Sequence, residues 1–136
     1  MEKQAKLTIS GKRKEAIAKA TITDGNGMVL INKVPYQNLD FIKKLLIIEP
    51  IEITKNVLGN FNFDVFVNVN GGGSEGRIAA SRLAIARALV EFTKSKELRK
   101  AFIEYDKNLL IADTRRKEAY KPGDSKARRK RQKSFR

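Results

Sequence analysis

The sequence predicts a two-layer α+β domain followed by an extended basic tail, on three observations. Residues 60–70, "NFNFDVFVNVN", alternate strictly, with Phe61, Phe63, Val65, Val67 and Val69 on one face and mostly Asn and Asp on the other. An amphipathic helix pattern over residues 75–94 follows that strand and supplies the layer to cover it. Beyond "NLLIAD" the apolar pattern stops and a run of cations begins. The expected division is residues 1–113 as the globular domain and residues 114–136 as a tail. Alone, that tail should stay disordered, because like charges repel and it cannot bury enough apolar surface to offset its ordering entropy.

Taken in order, residues 6–11 and 15–23 alternate as two strands, the second with Ala16, Ala18, Ala20 and Ile22 on one face. The turn expected between them spans residues 11–14 and carries Lys12, Arg13 and Lys14 at its tip. "DGNG", residues 24–27, is a turn signal, and residues 28–32 read as a third short strand, giving three antiparallel strands. After Pro35, the spacing of Leu39, Ile42, Leu45 and Leu46 predicts a short helix that Pro50 should stop. Residues 51–59 fit a strand or a helical turn equally well. In the long helix Ile78, Ala79, Leu83, Ile85, Ala86, Leu89, Val90 and Phe92 form the buried stripe, with Arg87, Glu91 and Lys94 opposite. Residues 96–105 form one more helix, with Leu98, Phe102 and Tyr105 on a face.

A chain of 136 residues with 41% hydrophobic content fits a single domain. It has no cysteine and no histidine, so thiol nucleophiles, zinc-thiolate sites and the commonest general base are excluded. No enzyme activity, cofactor or metal is expected. No apolar run approaches the roughly 20 residues that span a bilayer, and the N-terminus has no apolar signal core. The expectation is a cytoplasmic protein without a membrane partner. The net charge is +14, of which residues 115–136 hold +9, from eleven basic and two acidic side chains. The partner must therefore supply negative charge.

Four features carry candidate chemistry. "GGGSEGR", residues 71–77, leaves a strand and opens a helix, so its backbone N–H groups and the positive helix end can hold a phosphate. It lacks both the GxxxxGK[ST] and the GxGxxG spacing, which argues against a mononucleotide site, and its bland reading is a joint needing positive φ. Arg77 is the candidate for direct phosphate contact, whereas Arg82, inside the apolar stripe, is expected to snorkel past the helix start to a phosphate or to a carboxylate, structural snorkelling being the safer reading. The Lys12, Arg13, Lys14 cluster fits a nucleic-acid contact. Phe66, on the polar strand face, could stack on a base, but packing against a second layer is the simpler expectation. The tail mixes Arg with Tyr120, Pro122, Gly123, Ser134 and Phe135, which suits phosphate forks and base stacking better than a uniform charge run does. On charge alone a nonspecific nucleic-acid clamp remains open.

"GKRKEAIAKA", "GGGSEGRIAASRLAIARALVEF", "DTRRKEAYKPG" and the closing "KARRKRQKSFR", in that order, resemble the universally distributed family of small ribosomal subunit protein nine over essentially the whole chain. The short N-terminus and the "QKSFR" ending resemble its archaeal and eukaryotic branch, and the archaeal type is favoured. Arg77 departs from the family, which usually carries Gln there. The resemblance implies a mixed sheet with a left-handed βαβ crossover, similar to the second domain of ribosomal protein S5. It implies a structural constituent of the ribosome, bound in the small-subunit head to the 3′ major domain of ribosomal RNA beside neighbouring head proteins. Carried over by position, Lys12, Arg13, Lys14, Arg77, Arg115, Arg116, Lys121, Lys126, Arg128, Arg129, Lys130 and Arg131 would meet ribosomal RNA. Lys133, Ser134, Phe135 and Arg136 would approach the anticodon stem-loop of peptidyl-site tRNA. Ribonuclease P protein and small-molecule kinases, which share related folds, are the enzyme-class rivals. The missing ATP motif weighs against the kinase, and a C-terminal tail is not what a ribonuclease P subunit would be expected to use.

Overall fold

Alternation along the first twenty residues produces a hairpin longer than its turn signal suggests. In the computed structural model, which describes residues 5–123 and 126–129, β1 (Lys6–Arg13) pairs antiparallel with β2 (Ala16–Asp24) from Lys6 opposite Thr23 to Arg13 opposite Ala16. Only Lys14 and Glu15 form the loop, with Lys14 in the left-handed region at φ 53°. Lys12 and Arg13 therefore belong to the strand, not the tip, and strand alternation sends them to opposite faces.

The third strand also departs from the sequence reading. β3 (Val29–Ile31) does not extend an antiparallel trio; it lies parallel to β5 (Phe63–Asn70) and turns back antiparallel into a short β4 (Val34–Pro35). Asn32 and Lys33, both at positive φ, make that turn. The Asn32 side chain extends the pairing by accepting from Val69 N–H at 2.9 Å and donating to Val69 O at 3.2 Å. The five strands run in the order β1-β2-β5-β3-β4, a mixed sheet in which β5 joins β2 antiparallel and β3 parallel. No hydrophobic pattern encodes which edge a strand joins.

A parallel neighbour requires a crossover, and α1 (Phe41–Leu58) provides it between β3 and β5. Pro50 lies inside this helix instead of ending it, and residues 51–59 continue it as far as the left-handed cap Gly59. An interior proline costs about 3 kcal/mol by withholding one N–H and crowding the preceding turn. Here the cost is offset by burial of Ile47, Pro50, Ile51 and Thr54, each large apolar side chain being worth about 1.5–3 kcal/mol. Thr54 is satisfied by donating its hydroxyl to Pro50 O at 2.8 Å.

α2 (Ser74–Thr93) lies on β1 and β2, and α1 packs on α2 and on α3 (Lys96–Tyr105). Ser95 caps α3 by accepting from Leu98 N–H. The burial of α2 is wider than one stripe: Ala80, Ala84 and Ala88 are buried as well, while Ala79 and Phe92 are only half-buried. Gly11 explains the alanines. A Cβ there would sit 2.7 Å from both Ala80 O and Ala84 N, so the two backbones touch and only small residues fit. Tyr105 stays exposed, whereas Leu98 and Phe102 are fully buried.

α2 covers one face of the sheet, with α1 and α3 packed on α2, and Ala16, Ala18, Ala20, Ile22, Val65, Val67 and Val69 are buried in the core. Among the described residues the opposite face is bare. Phe66 is on it at 42% exposure, so among the described residues no second layer covers that ring as the sequence reading expected. Residues 110–123 carry no helix or strand.

Candidate nucleic-acid interface

Where β5 ends, the backbone must turn sharply into α2. Gly71 and Gly72 do this at φ 78° and 64°, and their missing side chains let the turn lie on the β1–β2 loop. A Cβ on Gly71 would fall 2.7 Å from Glu15 O, and one on Gly72 would fall 3.0 Å from Ala16 N. Gly73 caps α2 without a side-chain hydrogen bond, so the first N–H groups of the helix have no side-chain acceptor at the cap. Arg77 braces the turn from the first helical turn, its Nε donating to Gly71 O at 3.0 Å.

Against this turn the chain brings back residues 115–117. An open cleft of about 660 Å³ is lined by Arg13, Lys14, Glu15, Gly72, Gly73, Arg115, Arg116 and Lys117. Five cations line it with one acid, Glu15, while a second carboxylate, Asp113, pairs with Arg13 and Arg115 behind them, all beside the positive end of a 20-residue helix. Such an arrangement can hold an anion through backbone N–H groups and side-chain charge together, and its described lining contains no nucleophile–base pair.

Asp113 organises the cleft wall. Its carboxylate accepts from the Arg115 side chain at 2.8 Å and from the Arg115 N–H at 2.9 Å, and it pairs with Arg13 at 3.2 Å. The Arg115 hydrogen bonds, helped by the charge of Arg13, hold Asp113 well below the usual carboxylate range, and the Arg115 guanidinium is raised in return. Arg116 is steadied through the Asp113 and Arg115 carbonyls and has no ion-pair partner among the described residues. Lys117 donates to the Tyr120 hydroxyl at 2.8 Å, an interaction that raises its pKa.

The predicted site residues separate into groups. Arg13, Lys14, Arg115 and Arg116 converge on the cleft. Lys12 points to the bare sheet face, and Arg77 serves the glycine turn. Lys121 donates to Arg129 O at 3.2 Å, Arg128 pairs with Glu118 at 2.9 Å, and Lys126 is exposed. Lys130, Arg131, Lys133, Ser134, Phe135 and Arg136 lie outside the described residues. Sequence reasoning missed Lys117, although it continues the "TRRK" run, and Asp113, whose role as an anchor had no local signal. Arg82 behaves as the snorkelling reading expected, bonding Glu49 through Nε at 2.8 Å and also through Nη2, with Asp106 at 3.6 Å.

Comparison with known sequences matches residues 11–136 to the family described as Ribosomal protein S9/S16. Small ribosomal subunit protein uS9 of Methanococcus vannielii is 43% identical over 130 residues, covering 93% of this chain and 95% of that protein. The uS9 proteins of two Methanococcus maripaludis strains, C7 and S2, are 43% and 42% identical over the same shares.

Proposed function

The chain belongs to the ribosomal protein S9/S16 family, and from that premise we propose that it is a structural, RNA-binding constituent of the small ribosomal subunit, of archaeal type. The observation that carries the proposal is the convergence of Arg13, Lys14, Arg115, Arg116 and Lys117 on the start of α2. That geometry suits phosphates of folded RNA, whose neutralisation releases counterions. The work is binding without chemistry.

On this reading the domain, residues 1–113, seats in the head against the 3′ major domain of ribosomal RNA and beside neighbouring head proteins, in the cytoplasmic ribosome. The β3–α1–β5 connection is taken to be the left-handed crossover of an S5 domain 2-like fold. The tail, residues 114–136, folds on RNA during assembly. Lys121, Lys126, Arg128, Arg129, Lys130 and Arg131 contact ribosomal RNA, and Lys133, Ser134, Phe135 and Arg136 reach the anticodon stem-loop of peptidyl-site tRNA. Contact through the tRNA backbone serves all tRNAs alike. The experiment is deletion of residues 133–136 in reconstituted small subunits. Sedimentation should show normal assembly while peptidyl-site tRNA affinity drops, and unchanged affinity across several salt concentrations would sink the tail assignment. Crosslinking of the cleft in intact subunits tests the rest: adducts must form on ribosomal RNA.

A further inference from the structure

We propose that the bare face of the sheet is a second RNA site, distinct from the cleft, that takes unpaired nucleotides by stacking one base on Phe66. The inference rests on the reading that this chain works on RNA, and it adds a different surface and a different ligand: single strand, not helical backbone.

Phe66 is near the middle of the sheet, opposite Thr21 on β2 and Leu30 on β3, with its ring on the face away from the helices. The core does not need it, since the packing on β5 is done by Val65, Val67 and Val69 on the other face. An aromatic ring held rigidly on a sheet is a stacking platform, because every base has a π-face and two strands fix the ring from either side.

Its surroundings fit nucleotides. Asn68 lies beside it along β5 and opposite Lys19, and Asn70 follows opposite Ile17. Both are exposed, and amides can donate to and accept from base edges. Lys19 and Lys12 share the face and have no ion-pair partner among the described residues, which leaves them for phosphates. The acid on this face of β5, Asp64, turns its carboxylate to the N–H groups of Asn26 and Met28 at 3.0 and 3.1 Å. A protein-binding face would be built the other way, with an apolar centre depleted in lysine. Leu30 and Ile17 share this face and give Phe66 apolar neighbours, but the exposed lysines, amides and hydroxyls around them are the groups a protein-binding centre would lack, and they favour RNA.

The test uses the full chain with two fluorescein-labelled probes, a ten-nucleotide oligoadenylate and an RNA hairpin with a ten-pair stem. Phe66→Leu should weaken oligoadenylate binding about tenfold and leave hairpin binding within twofold. The chain has no tryptophan, so Phe66→Trp introduces a single reporter whose emission should be quenched at saturating oligoadenylate. Unchanged oligoadenylate affinity for Phe66→Leu, or unquenched emission, overturns the proposal. Lys14→Ala with Arg116→Ala separates the two sites: loss of hairpin binding there, with Phe66→Leu silent on both probes, leaves the cleft standing and removes the platform. In assembled small subunits, a benzophenone photocrosslinker at position 66 should form adducts with RNA, and adducts with protein overturn the assignment.

Discussion

At the joint of the helices, Arg82 is engaged by Glu49 and Asp106, which half-bury it between α1, α2 and the end of α3. At the hairpin cleft, Lys14, Arg116 and Lys117 share a groove whose lining contains one acid, Glu15. Both regions use α2, and both bring cations to its surface. The difference is the supply of carboxylates. Where acids arrive from neighbouring helices the cation closes the fold, and where they do not its charge is left for a partner.

The strongest way to break this contrast is to neutralise the cleft. Lys14→Ala, Arg116→Ala and Lys117→Ala combined should lower affinity for an RNA hairpin on the order of 100-fold at about 0.1 M salt, and the salt dependence should flatten by about two to three phosphate contacts. The melting temperature should stay within about 2 °C, because none of the three has an ion-pair partner among the described residues. A large loss of stability without loss of affinity would reverse the roles assigned to the two regions.

Arg82→Ala probes the other side of the comparison. Removing it leaves Glu49 and Asp106 facing each other without their shared cation, and the expected loss is about 2 kcal/mol of stability in urea unfolding. Binding of the folded fraction to the same hairpin should change less than twofold. Loss of binding with unchanged stability would make Arg82 an RNA contact instead.

This pair also shows what could be read from the chain beforehand. Arg82 was partly legible: a cation inside an apolar helical stripe must snorkel to an anion, but the fold decides that Glu49 and Asp106, not a phosphate, provide it. The glycine turn, α2 and α3 were legible for similar local reasons: positive φ and 3.6-residue periodicity. The parallel pairing of β3 with β5 was not, since strand neighbours are chosen by tertiary packing. Nor was the continuation of α1 through Pro50, where burial outweighs the local penalty. The cleft was half-legible. Its cations were visible as runs, but their convergence depends on Asp113, a residue with no pattern around it, bringing residues 115–117 back to Arg13.

Asp113 offers a finer test of how the cleft is held. Its folded-state pKa is depressed, so its contribution to stability is present above the ordinary carboxylate range and is lost as pH falls through the lower folded value. The Arg13 and Arg115 contacts should therefore persist into strongly acidic solution. A carboxyl carbon titration by NMR should place the Asp113 midpoint below those of exposed aspartates, and Arg115→Ala should move it upward, since the Arg115 hydrogen bonds are the leading cause. A midpoint unmoved by that substitution would shift the anchoring role to Arg13 alone.

The smallest effect is expected where a cation has a carboxylate but no burial. Arg128 pairs with Glu118 at 2.9 Å, yet their side chains are 89% and 59% exposed. Water screens such a pair, and holding two long side chains together costs entropy that offsets most of the attraction. Glu118→Gln should therefore move the melting temperature by less than about 1 °C. If the pair instead competes with RNA for Arg128, the same substitution should raise hairpin affinity slightly, by up to about threefold at low salt, with the gain disappearing as salt is added. Arg82 and Arg128 then bracket the comparison. Each has an acid within hydrogen-bonding distance, and exposure decides whether the pair acts as part of the fold or leaves its cation available to a stronger anion.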